Sequence, residues 1–232
     1  MSQIHWGSFE MPVYRLNGAS LLFVHVPKCG GTSLEGMLTA HPAMEQAALY
    51  EIGRDNLVLQ VSHCSPQHWH GELLQQLLRL ETFTLSFTVI RDPLERLLSE
   101  FSMQRGKLPE TTTDFGSWYQ QMQRERQCNP FYADNHLRPA REFLLPKSVV
   151  YNYNAGLERI WTDLCSRLAI DASAIPLQHI RPCGGPRLSA DAVTHEQRGW
   201  IERDYGSDVV LQQQLDQRLV DGMICCLGHE LL

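Results

Sequence analysis

Residues 20–26 (SLLFVHV) and the following residues 27–33 (PKCGGTS) carry the strongest structural pattern in the chain. The first part is a short apolar run rich in strand-forming residues, and it ends at a proline and a pair of glycines. Residues 32–38 (TSLEGML) then place three large apolar side chains on one side of a helix. The segment therefore predicts a buried strand, a tight loop and a helix in direct succession.

Strands and helices alternate along the rest of the chain. The predicted strands cover residues 20–26, 56–61, 83–90, 147–153 and 177–180. The predicted helices cover residues 32–38, 67–80, 93–101, 115–126, 157–168, 194–204 and 208–220. Such alternation is typical of an α/β fold with three layers, in which helices cover both faces of a central parallel sheet. No repeat or domain boundary interrupts the pattern, so we expect one domain over residues 1–232.

The composition narrows the class of protein. Of the 232 residues, 43% are hydrophobic and 20% are charged, which is ordinary for a globular protein. The formal net charge of −6 argues against a general nucleic-acid binder, whose surface would be basic. No apolar stretch reaches about 18 residues, so no membrane span is expected. Residues 1–20 lack a basic region followed by an apolar core, so no signal peptide is expected either.

The seven cysteines are scattered, and no pair of CxxC motifs occurs. This spacing does not indicate a structural zinc site. Free thiols in such a pattern favour a reduced, cytoplasmic environment. We therefore expect a cytoplasmic protein without a metal cofactor.

Residues 27–33 have the properties of an anion-binding loop. Gly30 and Gly31 allow the backbone to approach a ligand closely, and Lys28 adds a positive charge. Backbone N–H groups at the start of the following helix attract anions. An ATP-binding loop would need the order GxxxxGK[ST], whereas here Thr32 precedes Ser33 and the lysine precedes the glycines. On spacing alone, a plain Gly-Gly turn without a ligand remains open.

A second candidate phosphate site lies in residues 87–101 (FTVIRDPLERLLSEF). Arg91 ends the third predicted strand and can contact a phosphate with two parallel N–H groups. Ser99 lies nearly two helical turns further on and can direct its hydroxyl towards the same group. Asp92 is expected to cap the helix that begins at Pro93, and Arg96 fits a structural ion pair better than a ligand contact. In a parallel sheet this site and the loop at 27–33 lie at the same edge.

Residues 23–34 and 87–101 together resemble the 5′-phosphosulfate loop and the 3′-phosphate motif of sulfotransferases that use 3′-phosphoadenosine 5′-phosphosulfate (PAPS). The resemblance is closest to the carbohydrate branch, with the heparan sulfate 2-O- and 6-O-, chondroitin and related bacterial enzymes. It implies a P-loop-like fold, PAPS as donor, 3′-phosphoadenosine 5′-phosphate (PAP) as product, and a hydroxyl acceptor, most simply a glycan. The residues it implies for donor binding are Lys28, Cys29, Gly30, Gly31, Thr32, Ser33, Arg91 and Ser99.

The acceptor hydroxyl needs a general base, and residues 61–68 (VSHCSPQH) supply candidates. His63 follows the second predicted strand at the same sheet edge, and the resemblance implies a catalytic histidine in this segment. We therefore expect His63 as the base, with Lys28 at the leaving oxygen. His68 and His70 are expected to be ordinary residues of the next helix. A metal cluster of these three histidines with Cys64 is a weaker alternative.

Residues 134–139 (DNHLRP) resemble a further motif of the bacterial members. His136 and Arg138 are therefore candidates for acceptor or sulfate binding, and bracing of the loop is the alternative. By the same resemblance, residues 181–187 close over the nucleotide, with Arg187 as a candidate contact. Two other functions remain open on the sequence alone, a P-loop-type nucleotide kinase and a PAP-binding module without catalytic activity.

Overall fold

The computed structural model describes residues 13–16, 18–46, 63–105, 114–175 and 188–232. The strands predicted at residues 56–61 and 177–180 lie outside the described residues. The predicted closing loop at residues 181–187, including Arg187, lies outside them as well.

Six strands and seven α-helices make up the regular structure of the described residues. The strands are Val13–Leu16 (β1), Ala19–Val24 (β2), Glu45–Gln46 (β3), Leu85–Ile90 (β4), Val149–Asn152 (β5) and Cys225–Leu227 (β6). The helices are Gly31–Ala40 (α1), Gly71–Leu77 (α2), Pro93–Gln104 (α3), Phe115–Cys128 (α4), Leu157–Leu168 (α5), His195–Asp204 (α6) and Gly206–Val220 (α7).

The strands form one sheet in the order β3-β1-β2-β4-β5-β6. Its centre is parallel, because β2 pairs with β4 and β4 pairs with β5 in the same direction. Phe23, Phe87 and Val149 lie side by side across these three strands, and the two phenylalanine rings stack at 4.5 Å. Consecutive residues of β5 are all buried, so both faces of the sheet are covered. The predicted α/β fold with a central parallel sheet is confirmed.

The edges of the sheet are antiparallel, which the strand-helix alternation did not predict. β1 forms a hairpin with β2 through a turn at Gly18, whose φ of 84° suits glycine. β6 pairs with β5 in the opposite direction. An antiparallel partner needs no helical crossover, so the alternation of elements carries no signal for it.

A second apolar cluster lies beside the sheet and joins α3, α4 and α6. Phe101, Phe115 and Trp118 form its aromatic centre, with ring centroids 5.4–5.7 Å apart. Trp118 donates a hydrogen bond from its indole nitrogen to Gln104 at 3.0 Å. This packing fixes the face of α3 opposite the one that carries Ser99.

The carboxyl ends of the three parallel strands meet at one edge of the sheet. The first residues after these strands are His25 after β2, Arg91 after β4 and Tyr153 after β5. Ligands of open α/β sheets bind at this edge. The fold therefore places the loop at residues 27–33 and the second phosphate motif next to each other.

No helix among the described residues has both the length and the apolar character needed to cross a lipid bilayer. The six cysteines that the described ranges contain are free thiols.

Candidate active site

A cavity of about 650 Å³ opens at this edge of the sheet. Most of the residues predicted from the two phosphate motifs line it, namely Lys28, Gly30, Gly31, Thr32, Ser33, Arg91 and Ser99, together with His136. Residues that the sequence did not assign to a site complete much of the wall, namely His25, Gln67, His68, Met103, Tyr153 and Leu157.

The loop at residues 27–33 brings backbone amides to the cavity wall. Ser33 and Leu34 donate their N–H groups to the carbonyl of Gly30, whereas no described residue accepts from the N–H groups of Gly31 and Thr32. Gly30 has a φ of 84°, and a β-carbon there would lie 2.8 Å from Leu157. A β-carbon on Gly31 would overlap the ring of His25. The two glycines are thus required by the backbone conformation and by close packing, respectively.

Replacement of Gly31 by alanine is expected to destabilise the protein and to weaken anion binding at the loop. The added methyl group displaces His25, whose ring is held by Glu35 and stacks on Phe23, so overpacking costs about 1–3 kcal/mol. Thermal unfolding with and without PAP measures both effects. The matched control is Gly199→Ala in α6, where no atom lies within 4 Å of the new methyl group. Equal behaviour of the two variants would contradict this account of the loop.

Lys28 is the second residue of the loop and has a left-handed conformation with a φ of 67°. Its ammonium group lies 3.2 Å from the sulfur of Met103. Burial lowers the pKa of Lys28, the carboxylate of Glu100 opposes this effect, and the charge of Arg91 adds to it. The Lys28 ammonium group is therefore partly desolvated, and it gains more from an incoming anion than a lysine in open water does.

Arg91 is fixed in position from three sides. It donates hydrogen bonds to the Lys28 carbonyl at 3.2 Å and to Glu95 at 3.1 Å. Its guanidinium lies 4.4 Å from the centre of the Tyr153 ring. The predicted cap at the start of α3 is confirmed, because Asp92 accepts from the N–H of Glu95 at 3.0 Å.

Arg96 takes the structural role that the sequence favoured. Its side chain is buried and forms an ion pair with Asp208 at 3.5 Å. It also donates to the carbonyl groups of Pro27, His136 and Arg138. Arg96 thus joins the phosphate loop to the segment that carries His136.

His68 and Asp134 form a hydrogen-bonded pair in the cavity wall. Nδ1 of His68 lies 2.8 Å from Oδ2 of Asp134, and Ser65 donates to the same carboxylate from its N–H at 2.5 Å and its hydroxyl at 2.7 Å. Burial lowers the pKa of His68 to about 4, against the opposing effect of Asp134. Burial opposes ionisation of Asp134, but the hydrogen bonds from His68 and Ser65 outweigh it and hold its pKa well below the usual range. A neutral ring that donates Nδ1–H to Asp134 keeps a free lone pair on Nε2.

The low pKa of His68 makes the stability of the protein depend on pH. An unfolded histidine titrates near 6.5 and the folded one at about 4, so the unfolded chain binds the proton more readily between these values. The stabilisation is complete above pH 6.5 and is lost as the pH falls towards 4. We expect the free energy of unfolding to decrease by about 2 kcal/mol between pH 7 and pH 5 through this residue alone.

Urea unfolding of the wild type and of His68→Gln at both pH values measures the contribution of His68. The difference between the two proteins isolates His68 from the other histidines. A wild-type protein that loses no more stability than the variant on acidification would show that His68 is not buried as a neutral ring.

Two further histidines of the cavity are also paired with carboxylates. Nδ1 of His25 lies 2.9 Å from Glu35, and Nδ1 of His136 lies 2.6 Å from Glu100. The rings of His25 and His136 both contact that of His68 edge to face, at 5.1 and 4.7 Å. Burial opposes ionisation of Glu100, but hydrogen bonds from His136 and Gln104 outweigh it and lower its pKa.

The cavity therefore combines desolvated cations and free backbone amides for an anion with a histidine–carboxylate pair that can accept a proton. A comparison with protein families indicates the same kind of site, because the model of the Sulfotransferase family matches residues 17–173. The chain belongs to this family. It is an enzyme that transfers sulfuryl groups. Comparisons with curated proteins and with solved structures give no match.

The structure does not bring His63 into the cavity of this sulfotransferase. The side chain is exposed, and its ring lies 5.3 Å from that of Phe131. His68 lines the cavity instead, five residues further along the chain. This segment therefore reaches the cavity through His68 rather than through the expected His63.

The backbone from Pro66 to Gly71 departs from the predicted helix, and this departure determines where the side chain of His68 lies. The sequence predicts a helix over residues 67–80, whereas the chain forms a short 3-10 turn at Pro66–His68, becomes extended, and starts α2 only at Gly71. A β-carbon on Gly71 would lie 2.8 Å from the carbonyl oxygen of Leu144, so this contact needs a glycine. The early turn places the ring of His68 in the cavity rather than on the surface of a helix.

Cys29 and Arg138 also lie away from the cavity. Cys29 is 1% exposed, its thiol contacts the carbonyl of Pro27, and burial raises its pKa to about 11. Arg138 donates to Asn135, pairs with Glu142 and lies 5.3 Å from the ring of Phe131. Arg138 thus takes the bracing role that was its alternative, and Cys29 packs in the core.

Proposed function

We propose that the protein is a PAPS-dependent O-sulfotransferase in which His68 is the general base and the acceptor is a carbohydrate hydroxyl. The observation that carries the proposal is the meeting of Lys28, Arg91 and Ser99 with His68 in one cavity. Lys28, Arg91 and Ser99 are suited to binding a nucleotide that carries phosphate groups at two positions. His68 is suited to accepting the proton of a hydroxyl group.

The residues of the cavity fit the donor. The amides of Gly31 and Thr32 and the ammonium group of Lys28 would hold the 5′-phosphosulfate. Arg91 and Ser99 would hold the 3′-phosphate, since Arg91 can exchange its contact with the Lys28 carbonyl for a charged partner. The ring of Tyr153 offers a flat apolar surface for the purine base.

The proposed reaction is an in-line displacement at sulfur. The acceptor oxygen forms a bond to sulfur while the bond between sulfur and the bridging phosphate oxygen breaks. Nε2 of His68 takes the proton of the acceptor, and Asp134 stabilises the resulting imidazolium. Lys28 neutralises charge that develops on the leaving oxygen. The products are a sulfate ester and PAP.

The polar lining of the cavity supports a carbohydrate acceptor. Gln67 and His25 line the cavity, and both contact Glu35, which accepts from the Gln67 amide at 2.6 Å and lies 2.9 Å from Nδ1 of His25. Hydroxyl groups of a sugar can both donate to and accept from such groups.

Transfer of radiolabelled sulfate from PAPS to a panel of glycans, phenols and tyrosine peptides tests the proposal. We expect labelled product with at least one glycan and release of PAP in equal amount. Labelling of phenols or peptides alone would refute the carbohydrate assignment. Tight PAP binding without transfer to any member of the panel would refute the assigned reaction as far as these acceptor classes are concerned.

A further inference from the structure

We propose that His68, Asp134 and His136 form a binding site for a transition-metal ion of the zinc class, and that occupation of this site inhibits the enzyme. One ligand atom from each of the three side chains lies within 4.8 Å of the others. The residues come from two separate segments of the chain, so no spacing in the sequence indicates the site. The binding is independent of the proposed function, whereas the inhibition rests on it.

The three donors match the ligand preference of Zn²⁺. Two imidazoles and one carboxylate are a common protein set for this ion, with a fourth position left to water or to another ligand. In a tetrahedral site with metal-ligand distances of about 2.1 Å, two donors are separated by about 3.4 Å. Starting from separations of at most 4.8 Å, each donor needs to move by less than about 1 Å to reach this spacing. The cavity gives access to His68 and His136.

Neighbouring groups hold His136 and Asp134 by hydrogen bonds, as is usual for side chains that bind a metal ion. His136 is held through Nδ1 by Glu100, which is itself 1% exposed and accepts a hydrogen bond from Gln104. Asp134 is held by the N–H and the hydroxyl of Ser65. Carboxylates and hydrogen-bond donors in such positions fix the orientation of ligands and raise metal affinity.

The backbone at Asp134 keeps its carboxylate at this position. Ala133, Asp134 and Asn135 have φ values of 52°, 54° and 64° in succession. Left-handed residues other than glycine are costly and are retained where the surroundings hold them. The side chain of Asn135 does so here, because it donates to the carbonyl of His68 at 2.9 Å.

Inhibition follows from the double role of His68. A metal ion on its ring occupies a lone pair and repels a further proton, so the ring no longer accepts the proton of an acceptor hydroxyl. The ion also neutralises the negative charge of Asp134, and the proton transfer requires this charge to stabilise the imidazolium of His68. Binding of Zn²⁺ and catalysis are therefore mutually exclusive.

Calorimetric titration of the metal-free protein with Zn²⁺ tests the binding. We expect one ion per chain, and His136→Gln is expected to weaken the affinity at least about tenfold. Titration with Co²⁺ supplies a visible spectrum that distinguishes nitrogen and oxygen ligands from thiolates. Cys128→Ser removes an exposed thiol and serves as the control that should bind as the wild type does. Glu100→Gln is a second variant, expected to weaken binding about 10- to 100-fold, and circular dichroism checks the folding of each protein.

Unchanged affinity in folded His136→Gln and Glu100→Gln would overturn the site, as would loss of binding in Cys128→Ser. The inhibition is tested separately by sulfate transfer in the presence of Zn²⁺ and after addition of a chelator. We expect reversible loss of turnover in the wild type, and inhibition of the residual turnover in His136→Gln only at Zn²⁺ concentrations at least about tenfold higher. Binding of Zn²⁺ without loss of turnover would refute the inhibitory role. Absence of transfer under all conditions would instead refute the proposed function and leave the binding result unaffected.

Discussion

Replacement of His68 by glutamine is expected to lower kcat for sulfate transfer by about 10²- to 10⁴-fold. Glutamine can still contact Asp134, but it cannot accept the proton of the acceptor hydroxyl. PAP affinity should remain close to that of the wild type, because His68 does not belong to the residues that are proposed to hold the donor. Steady-state kinetics and calorimetry with PAP separate these two quantities. A parallel loss of PAP affinity would indicate damage to the fold rather than loss of a base.

His63→Ala is the matched control for this prediction. The side chain of His63 is exposed and lies against Phe131, outside the cavity. The variant should therefore retain the turnover of the wild type. Loss of turnover in His63→Ala, with normal turnover in His68→Gln, would reverse the assignment of the base and restore the one that the sequence favoured.

Replacement of Arg91 by alanine is expected to weaken PAP binding by about 10- to 100-fold. Hydrogen bonds to a charged partner contribute about 1.5–3 kcal/mol each, and the Arg91 side chain is 9% exposed, so water replaces it poorly. The loss should be specific to the 3′-phosphate. Adenosine 5′-phosphosulfate lacks this group, so its weaker affinity should change little in the variant. Calorimetric titration of the wild type and of Arg91→Ala with PAP and with adenosine 5′-phosphosulfate measures how much of the lost affinity depends on the 3′-phosphate.

Arg159→Ala removes an exposed arginine from α5 and is the control for the change in net charge. It should bind both ligands as the wild type does. If Arg91→Ala weakened the two ligands equally, Arg91 would hold the loop or the 5′-phosphosulfate instead of the 3′-phosphate. That outcome would remove the main support for a donor with phosphate groups at both ends.

The sequence predicts the central part of the fold because a parallel strand is marked by its own apolar, strand-forming run and by the helix that follows it. Residues 83–90 are apolar and strand-forming, and the helix beginning at Pro93 follows at once. β4 and α3 accordingly lie close to their predicted bounds. β1 and β6 are only four and three residues long. Their pairing is decided by the neighbouring strand, and such short segments have too few positions to show a periodic pattern.

Some residues of the candidate site can likewise be predicted from the local sequence, whereas others depend on contacts between distant parts of the chain. The sequence predicts that Lys28, Arg91 and Ser99 lie near one another, and they do line one cavity, because each stands at a fixed offset from a strand end or a helix start. The position of His68 depends on the packing of Gly71 against Leu144, about seventy residues away in the sequence. No pattern within residues 61–70 reports that contact. The Pro66 turn and the glycine at position 71 are the only local signs that the helix begins late.

His25 illustrates a further limit of local patterns. It lies within residues 20–26, and the strand pattern treats it as one more strand residue. Its role becomes visible only with Gly31 and Glu35, since the missing β-carbon of the first makes room for the ring and the carboxylate of the second holds it. Both partners lie in α1, so the contact requires the helix to fold back over the strand.

Calorimetric titration of the wild-type protein with PAP, and with ATP in the presence of Mg²⁺, tests the central assignment most directly. We expect one PAP molecule per chain with an affinity well above that for ATP, because Lys28 is proposed to bind one end of the nucleotide and Arg91 the other. Binding of ATP with Mg²⁺ and no measurable binding of PAP would contradict it.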